Sequence, residues 1–174
     1  ASSIEGLVAF FALNRLGLVN ARVFNGSQAD KMRYNINNFA SRIVMMDKNN
    51  LAVLSEIIED TNVETVIMMS DCEDYLWNEF ETKHPQICLV SYQQVQEKGK
   101  NYKESFEEMV SSEDLASILY TSGSSGEPKP ISIPNRVYTN MVDVVCKTTN
   151  IVKCDGERVI GVVSHEYPYA AINC

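Results

Sequence analysis

The sequence predicts an α/β fold: a mostly parallel sheet with helices on both faces. Three observations carry the prediction. Short apolar runs alternate with longer amphipathic stretches along the chain. The runs, such as RIVMMD and VETVIMMS, are near-continuously apolar, as strands covered on both faces read. No fixed-period repeat and no low-complexity linker interrupts the alternation.

The elements follow in order. SSIEGLVAFFALNRLG opens on a capping serine and ends at Gly17, with Ile4, Leu7, Val8, Phe11 and Leu16 expected on or near one helical face. LVNARVF is a short strand. SQADKMRYNINNF is a helix, with Met32, Ile36 and Phe39 at intervals of four and three. RIVMMD is a strand, and NLAVLSEIIEDT is a helix facing inward through Leu51, Leu54, Ile57 and Ile58. VETVIMMS is the next strand, EDYLWNEFETK a helix, QICLVSY a strand and YQQVQEKG a short helix or turn. KGKNYKESFEE reads as a polar surface loop. DLASILYTS is a strand, KPISIPN is extended, NRVYTNMVDVVCKTTN is a long helix and ERVIGVV a final strand.

Composition bounds the function. The 174 residues are 45% hydrophobic and 22% charged, enough for one domain with a core. A net charge of −8 argues against a general nucleic-acid binder, which needs a basic face. It does not exclude a phosphate ligand, because backbone N–H groups can hold phosphate locally. No apolar run approaches the roughly 20 residues needed to span a bilayer, and no signal-peptide pattern opens the chain. The five cysteines, Cys72, Cys88, Cys146, Cys154 and Cys174, are odd in number and lack C-x-x-C spacing. They read as reduced thiols of a cytoplasmic protein, with no metal site. The chain begins at Ala1 inside a helical pattern and stops at Cys174 just after a strand and a turn. Residues 1–174 are therefore expected to be a single partial domain, a fragment of a longer protein.

One stretch stands apart. YTSGSSGEPKP, residues 120–130, is dense in hydroxyls and backbone freedom and carries a cation. It follows the end of a strand, where open α/β sheets bind ligands. Gly123 and Gly126 let the backbone wrap closely around a ligand, and successive N–H groups in such a turn form an anion nest. Thr121, Ser122, Ser124 and Ser125 add hydroxyl donors, and Lys129 adds a mobile point charge. Polyphosphate binding uses all of these. The spacing is not that of G-x-x-x-x-G-K-[ST], and G-x-G-x-x-G is absent. Pro130 and Pro134 punctuate the following segment, so the site is strand–loop–strand rather than strand–loop–helix. The segment from Ser122 to Gly126 is expected to be irregular, accessible and more mobile than its flanking strands.

LASILYTSGSSGEPKPISIPN resembles the phosphate-binding signature of the adenylate-forming superfamily, which comprises acyl- and aryl-CoA ligases, peptide-synthetase adenylation domains and luciferases. The match runs from Tyr120 through Lys129. The flanks are similar too: residues 6–47 look like the family's helix–strand–helix–strand segment, and ERVIGVVSHEYPYA looks like its next motif, which delivers a His or aromatic residue toward the acyl substrate. The resemblance covers nearly the whole chain and implies part of the superfamily's N-terminal domain.

The resemblance implies ATP-dependent activation of a small carboxylic acid as an acyl-adenylate, followed by transfer to a thiol of CoA or of a carrier protein. It makes Thr121, Ser122, Gly123, Ser124, Ser125, Gly126 and Lys129 the ATP-phosphate site, Lys129 the catalytic cation and His165 a substrate-side residue. It implies Mg²⁺, with ligands mostly outside this chain. An acyl- or aryl-CoA ligase is the leading reading. A peptide-synthetase adenylation domain and a degenerate homologue that only binds nucleotide or a partner stand as alternatives. The fragment alone is expected to be inactive. One departure is Pro130, where the superfamily carries Gly; proline lacks an N–H and pushes Lys129 toward an extended backbone.

The remaining notable residues read as structural. His84 is expected at the surface. Met45, Met46, Met68 and Met69 are expected in the core, and Tyr75 and Trp77 between a helix and the sheet. Glu104, Glu107, Glu108, Glu113 and Asp114 are expected to form a solvated face.

Overall fold

The computed structural model describes residues 3–22, 28–102, 110–121 and 129–149, without the side chains of Thr121, Val145, Cys146 and Thr149. It is a mixed α/β structure. The elements are α1 (Ile4–Arg15), β1 (Asn20–Arg22), α2 (Ala29–Asn38), β2 (Ile43–Met46), α3 (Leu51–Ile57), β3 (Thr65–Met68), α4 (Asp74–Lys83), β4 (Cys88–Ser91), α5 (Tyr92–Asn101), β5 (Leu115–Thr121), β6 (Lys129–Pro134) and α6 (Asn135–Thr149). The expected strand over 157–163 lies outside the described residues. Two compact units divide the chain, one of Val23–Ser105 and one of Ser2–Arg22 with Phe106–Cys174. Among the described residues each has its own three-stranded sheet, where the sequence suggests one sheet.

The first unit is a parallel sheet in the order β2-β3-β4, with α3 and α4 as the crossovers. Val44, Val66 and Leu89 sit in one row of the register, and Met46 and Met68 in another. These residues pack with Met32 and Ile36 of α2, Leu51, Leu54 and Ile57 of α3, and Phe80 of α4. The helical spacing read for α2 and α3 thus marks their buried faces. The opposite face of the sheet differs from expectation. Ile43 is 54% exposed and Met45 37%, so near-continuous apolarity in β2 does not mean cover on both faces among the described residues. Of the four strand methionines, Met46 and Met68 are buried, Met69 is half-buried and Met45 is exposed. Trp77 packs against the core as expected, whereas Tyr75 points to solvent.

His84 corrects the sequence reading more sharply: it is 2% exposed. Its Nε2 lies 2.8 Å from Ser55 Oγ and its Nδ1 3.0 Å from Glu59 Oε1. The Phe80 ring stands 4.9 Å from the imidazole. Both ring nitrogens are satisfied, which removes the main cost of burying a polar ring. Two partners on α3 and the turn after it, 29 and 25 residues away in sequence, are invisible to local pattern reading.

The second unit has the sheet order β1-β5-β6, with β1 parallel and β6 antiparallel to the central β5. Ser3 caps α1 by accepting from the Gly6 N–H. The helix ends in a Schellman arrangement: Leu18 N–H reaches Leu13 O and Gly17 N–H reaches Asn14 O, with Gly17 at φ 68°. The buried side of α1 is that of Phe10, 2% exposed, and not the predicted stripe. Ile4, Val8 and Phe11 are 78%, 49% and 55% exposed. This helix is apolar nearly all round, so periodicity does not select a face. The contacts of Phe10 do: Tyr138 packs edge-on at 5.5 Å and the Arg22 guanidinium stacks at 4.4 Å. The polar segment after β4 also changes, since α5 extends to Asn101 behind a Ser91–Gln94 capping box.

Candidate functional site

β5 carries LASILYT to the carboxyl edge that it shares with the parallel β1. That edge is where α/β sheets bind ligands. Ala116, Ser117 and Tyr120 are buried, so the strand is anchored in its unit. The chain leaves β5 at Thr121 and re-enters as β6 at Lys129, and these two residues are cross-strand partners. Residues 122–128 therefore bridge two points about 5 Å apart. This is the strand–loop–strand arrangement expected from Pro130 and Pro134.

Thr121 and Lys129 are brought together by the ladder, and the Lys129 side chain is exposed. Ser122, Gly123, Ser124, Ser125 and Gly126 lie outside the described residues, as does His165. Pro130 pairs with Tyr120 on β6, an edge strand among the described residues, where a missing N–H is tolerated. Lys129 is extended, as a residue before proline prefers. Sequence reading did not single out Arg22, which pairs with Leu119 near the carboxyl end of β1. A lone arginine at the end of a short strand gives no local signal; only the register sets it beside Leu119 of β5.

Two other constellations do not make a site. Ser55, His84 and Glu59 stand in the order of a hydrolase relay. Ser55 is nevertheless inside α3, whose amides at that point are committed to the helix, leaving no donors for an oxyanion. The His84 and Gln86 hydrogen bonds hold the Glu59 carboxyl below the usual glutamate range, as a clamp between α3 and the α4–β4 connection would. A shallow groove of about 520 Å³ runs along α2 past Asp30, Arg33, Tyr34 and Asn37. Arg33 is already paired with Asp30 at 2.6 Å and Asp60 at 3.3 Å, so the groove offers an anion little.

At the carboxyl ends of β2 and β3, the Lys48 N–H binds Ser70 Oγ and its ammonium meets Glu73 at 2.6 Å. That contact pushes the lysine pKa up and the glutamate pKa down. Burial raises the neighbouring Cys72 thiol above its ordinary value, so it is not an activated thiolate. No three His, Cys, Asp or Glu side chains converge among the described residues. The described residues flanking the loop, Thr121 and Lys129, include no carboxylate and do not by themselves form a Mg²⁺ site. No helix among them is long and apolar enough to cross a membrane.

Comparison with known proteins adds independent findings. The family model described as "AMP-binding enzyme" matches residues 1–171. The acetyl-coenzyme A synthetase 1 of Candida glabrata is 30% identical over 132 residues, covering 73% of this chain and 18% of that protein. A palmitoyl-CoA ligase of Gibberella moniliformis is 26% identical over 136 residues, covering 76% and 20%. The chain thus spans about a fifth of the length of these curated relatives. Among solved structures, the A domain of a carboxylic acid reductase from Segniliparus rugosus, in complex with AMP and a co-purified carboxylic acid, aligns over 98% of this chain and 29% of that one. Its TM-score is 0.77 at 14% identity. ATP-bound MatB from Rhodopseudomonas palustris aligns over 98% of this chain and 30% of that one, with TM-score 0.70 at 16% identity. At such identities these structures speak to fold alone.

Proposed function

Because this chain belongs to the AMP-binding enzyme family, we propose that it supplies the ATP-phosphate site of a longer ATP-dependent carboxylate–CoA ligase. Residues 1–174 are on this reading part of the ligase's N-terminal domain, with the phosphate loop at 120–130. The observation that carries the proposal is the Thr121–Lys129 pair, which sets the two ends of TSGSSGEPK side by side at the carboxyl end of β5. The resemblance of that segment to a phosphate signature and the acyl-CoA ligases among the relatives support it.

The chemistry assigns each part a task. N–H groups and hydroxyls of Thr121, Ser122, Gly123, Ser124, Ser125 and Gly126 hold the β- and γ-phosphates. A carboxylate oxygen of the substrate attacks the α-phosphorus. The bond from that phosphorus to the bridging oxygen breaks, and pyrophosphate leaves with the electron pair. Lys129 neutralises the charge that builds on the departing oxygens. A thiol then attacks the acyl carbonyl, AMP leaves and the thiol proton passes to solvent. His165 lies on the substrate side. CoA is the favoured thiol over a carrier protein, in keeping with the two CoA-using relatives. Pro130 gives the non-catalytic alternative little support, because an edge strand accommodates it.

The test is ATP–pyrophosphate exchange by the intact protein with acetate, palmitate and an aromatic acid as substrates. Carboxylate-dependent exchange is expected. Nucleotide binding without exchange on any carboxylate would leave a binding module instead.

A further inference from the structure

The hairpin that carries the loop is tied down at its other end. Asn135 N–H donates to Asp114 O at 3.0 Å, and Arg136 N–H to Ser112 O at 2.9 Å. The Asn135 side-chain amide reaches Ser111 O at 3.1 Å, and the Arg136 guanidinium meets Glu113 at 3.0 Å. These bonds join the start of α6 to the chain just before β5. Another bond grips β5 inside its ladder: Ser117 Oγ lies 2.5 Å from the Tyr138 hydroxyl of α6. Ser117 is fully buried, and Tyr138 also packs edge-on against Phe10.

We propose that Ser117 and Tyr138 are positioning residues for the phosphate loop, an inference that rests on the ATP-site reading above. β6 passes into α6 without a break, from Pro134 to Asn135. A bond from α6 back to β5 therefore couples the two arms of the hairpin through the helix. It opposes sliding of β5 against β6, and Thr121 is four residues, about 13 Å, further along the same strand. Sliding there changes the spacing of Thr121 and Lys129 on which the loop is built. Preorganised contacts matter most in the transition state, so loosening them lowers turnover more than ATP affinity. Burial sharpens the effect, because removing one hydroxyl leaves its partner without the bond.

The experiment uses Tyr138→Phe, Ser117→Ala and the double variant in the intact protein. Tyr138→Phe keeps the ring against Phe10. If it does not fold, Ser117→Ala carries the test, since it removes only one small hydroxyl. Pyrophosphate exchange at saturating ATP is expected to fall about tenfold in each single variant with the KM for ATP little changed, and the double variant is expected to be no worse than either. Backbone amides at the two ends of the loop are expected to exchange hydrogen faster, a change that a merely stabilising contact elsewhere in β5 would not confine there. Wild-type turnover in folded Tyr138→Phe, a loss confined to KM, or unchanged amide protection in an active protein overturns the inference. Absence of pyrophosphate exchange in the wild-type protein overturns the ATP reading, and amide exchange in the variants then tests the mechanical tie by itself. Faster amide exchange in that same inactive protein would locate the fault in the ATP reading rather than in the mechanical tie.

Discussion

Lys129 is where the functional reading meets a single side chain. A cation at the mouth of a phosphate loop is felt most strongly as pyrophosphate departs, so Lys129→Ala should lower turnover more than ATP binding. The expected loss is on the order of tenfold to a thousandfold, the scale of one preorganised electrostatic contact. Pyrophosphate-exchange kinetics measure it, and a wild-type rate would make Lys129 an ordinary surface lysine. Pro130→Gly should raise the rate or leave it unchanged, because glycine restores an N–H and frees the backbone on either side. A large loss there would mean that the proline holds the loop in its working shape. His84 shows the limit of reading residue by residue. Its neighbours in sequence are a helix end and a proline, which suggest a turn at the surface. Its burial comes with Ser55 and Glu59, partners 29 and 25 residues away that only the tertiary fold brings near.

Elements were legible where one side of a helix is clearly more apolar than the other. α3 and the turn after it are the clear case: the spacing marks Leu51, Leu54, Ile57 and Ile58 as the inner face, and all are buried. Leu54 has no exposed surface, and Leu54→Ala should cost about 2–5 kcal/mol by leaving a cavity, as urea titration would show. α1 is the opposite case. Its sequence is apolar on every side, so the stripe through Ile4, Val8 and Phe11 was a choice among near-equals, and the aromatic contacts of Phe10 decided otherwise. Its end was legible because only one residue type suits it. Gly17 sits at φ 68° inside paired Schellman bonds, so Gly17→Ala should destabilise by about 1–2 kcal/mol, read as a lower melting temperature. The strand–loop–strand form of the candidate site was legible for the same kind of reason: two prolines bar a helix after the loop.

At the scale of the whole molecule, the alternation of helix and strand announced an α/β chain but not its division into two sheets. Which strands pair is settled by contacts between residues far apart in sequence, as when Asn20 pairs with Ser117. The first unit also carries an acid sensitivity. Hydrogen bonds from His84, Arg42 and Lys48 hold Glu59, Glu64 and Glu73 below the usual carboxylate range. A carboxylate depressed in the folded state adds stability that is complete above its unfolded pKa and disappears as pH falls through the folded one. Melting temperature should therefore fall as acid passes through and below the ordinary glutamate range. The three carboxylates are exposed and screened, so the effect should shrink in high salt. A melting curve insensitive to pH down to 3 would show that the pairs contribute nothing.

The last prediction concerns the 174-residue chain on its own. Its segment from Tyr120 through Lys129 resembles a phosphate signature, yet the chain spans about a fifth of the length of its curated relatives. Catalysis of phosphoryl displacement is mostly positioning: the α-phosphorus, the attacking carboxylate and the leaving oxygen must be held in line. A loop that grips the β- and γ-phosphates fixes one end of that line. Adenine, ribose and carboxylate must be held by other groups. Residues 1–174 alone should therefore show no measurable acyl-adenylate formation, while the intact protein does. The measurement is adenylate trapping with hydroxylamine, run on both proteins at matched concentration. Robust trapping by the 174-residue chain would mean that this segment positions the whole of ATP and the acid, and that the site extends well beyond its phosphate loop.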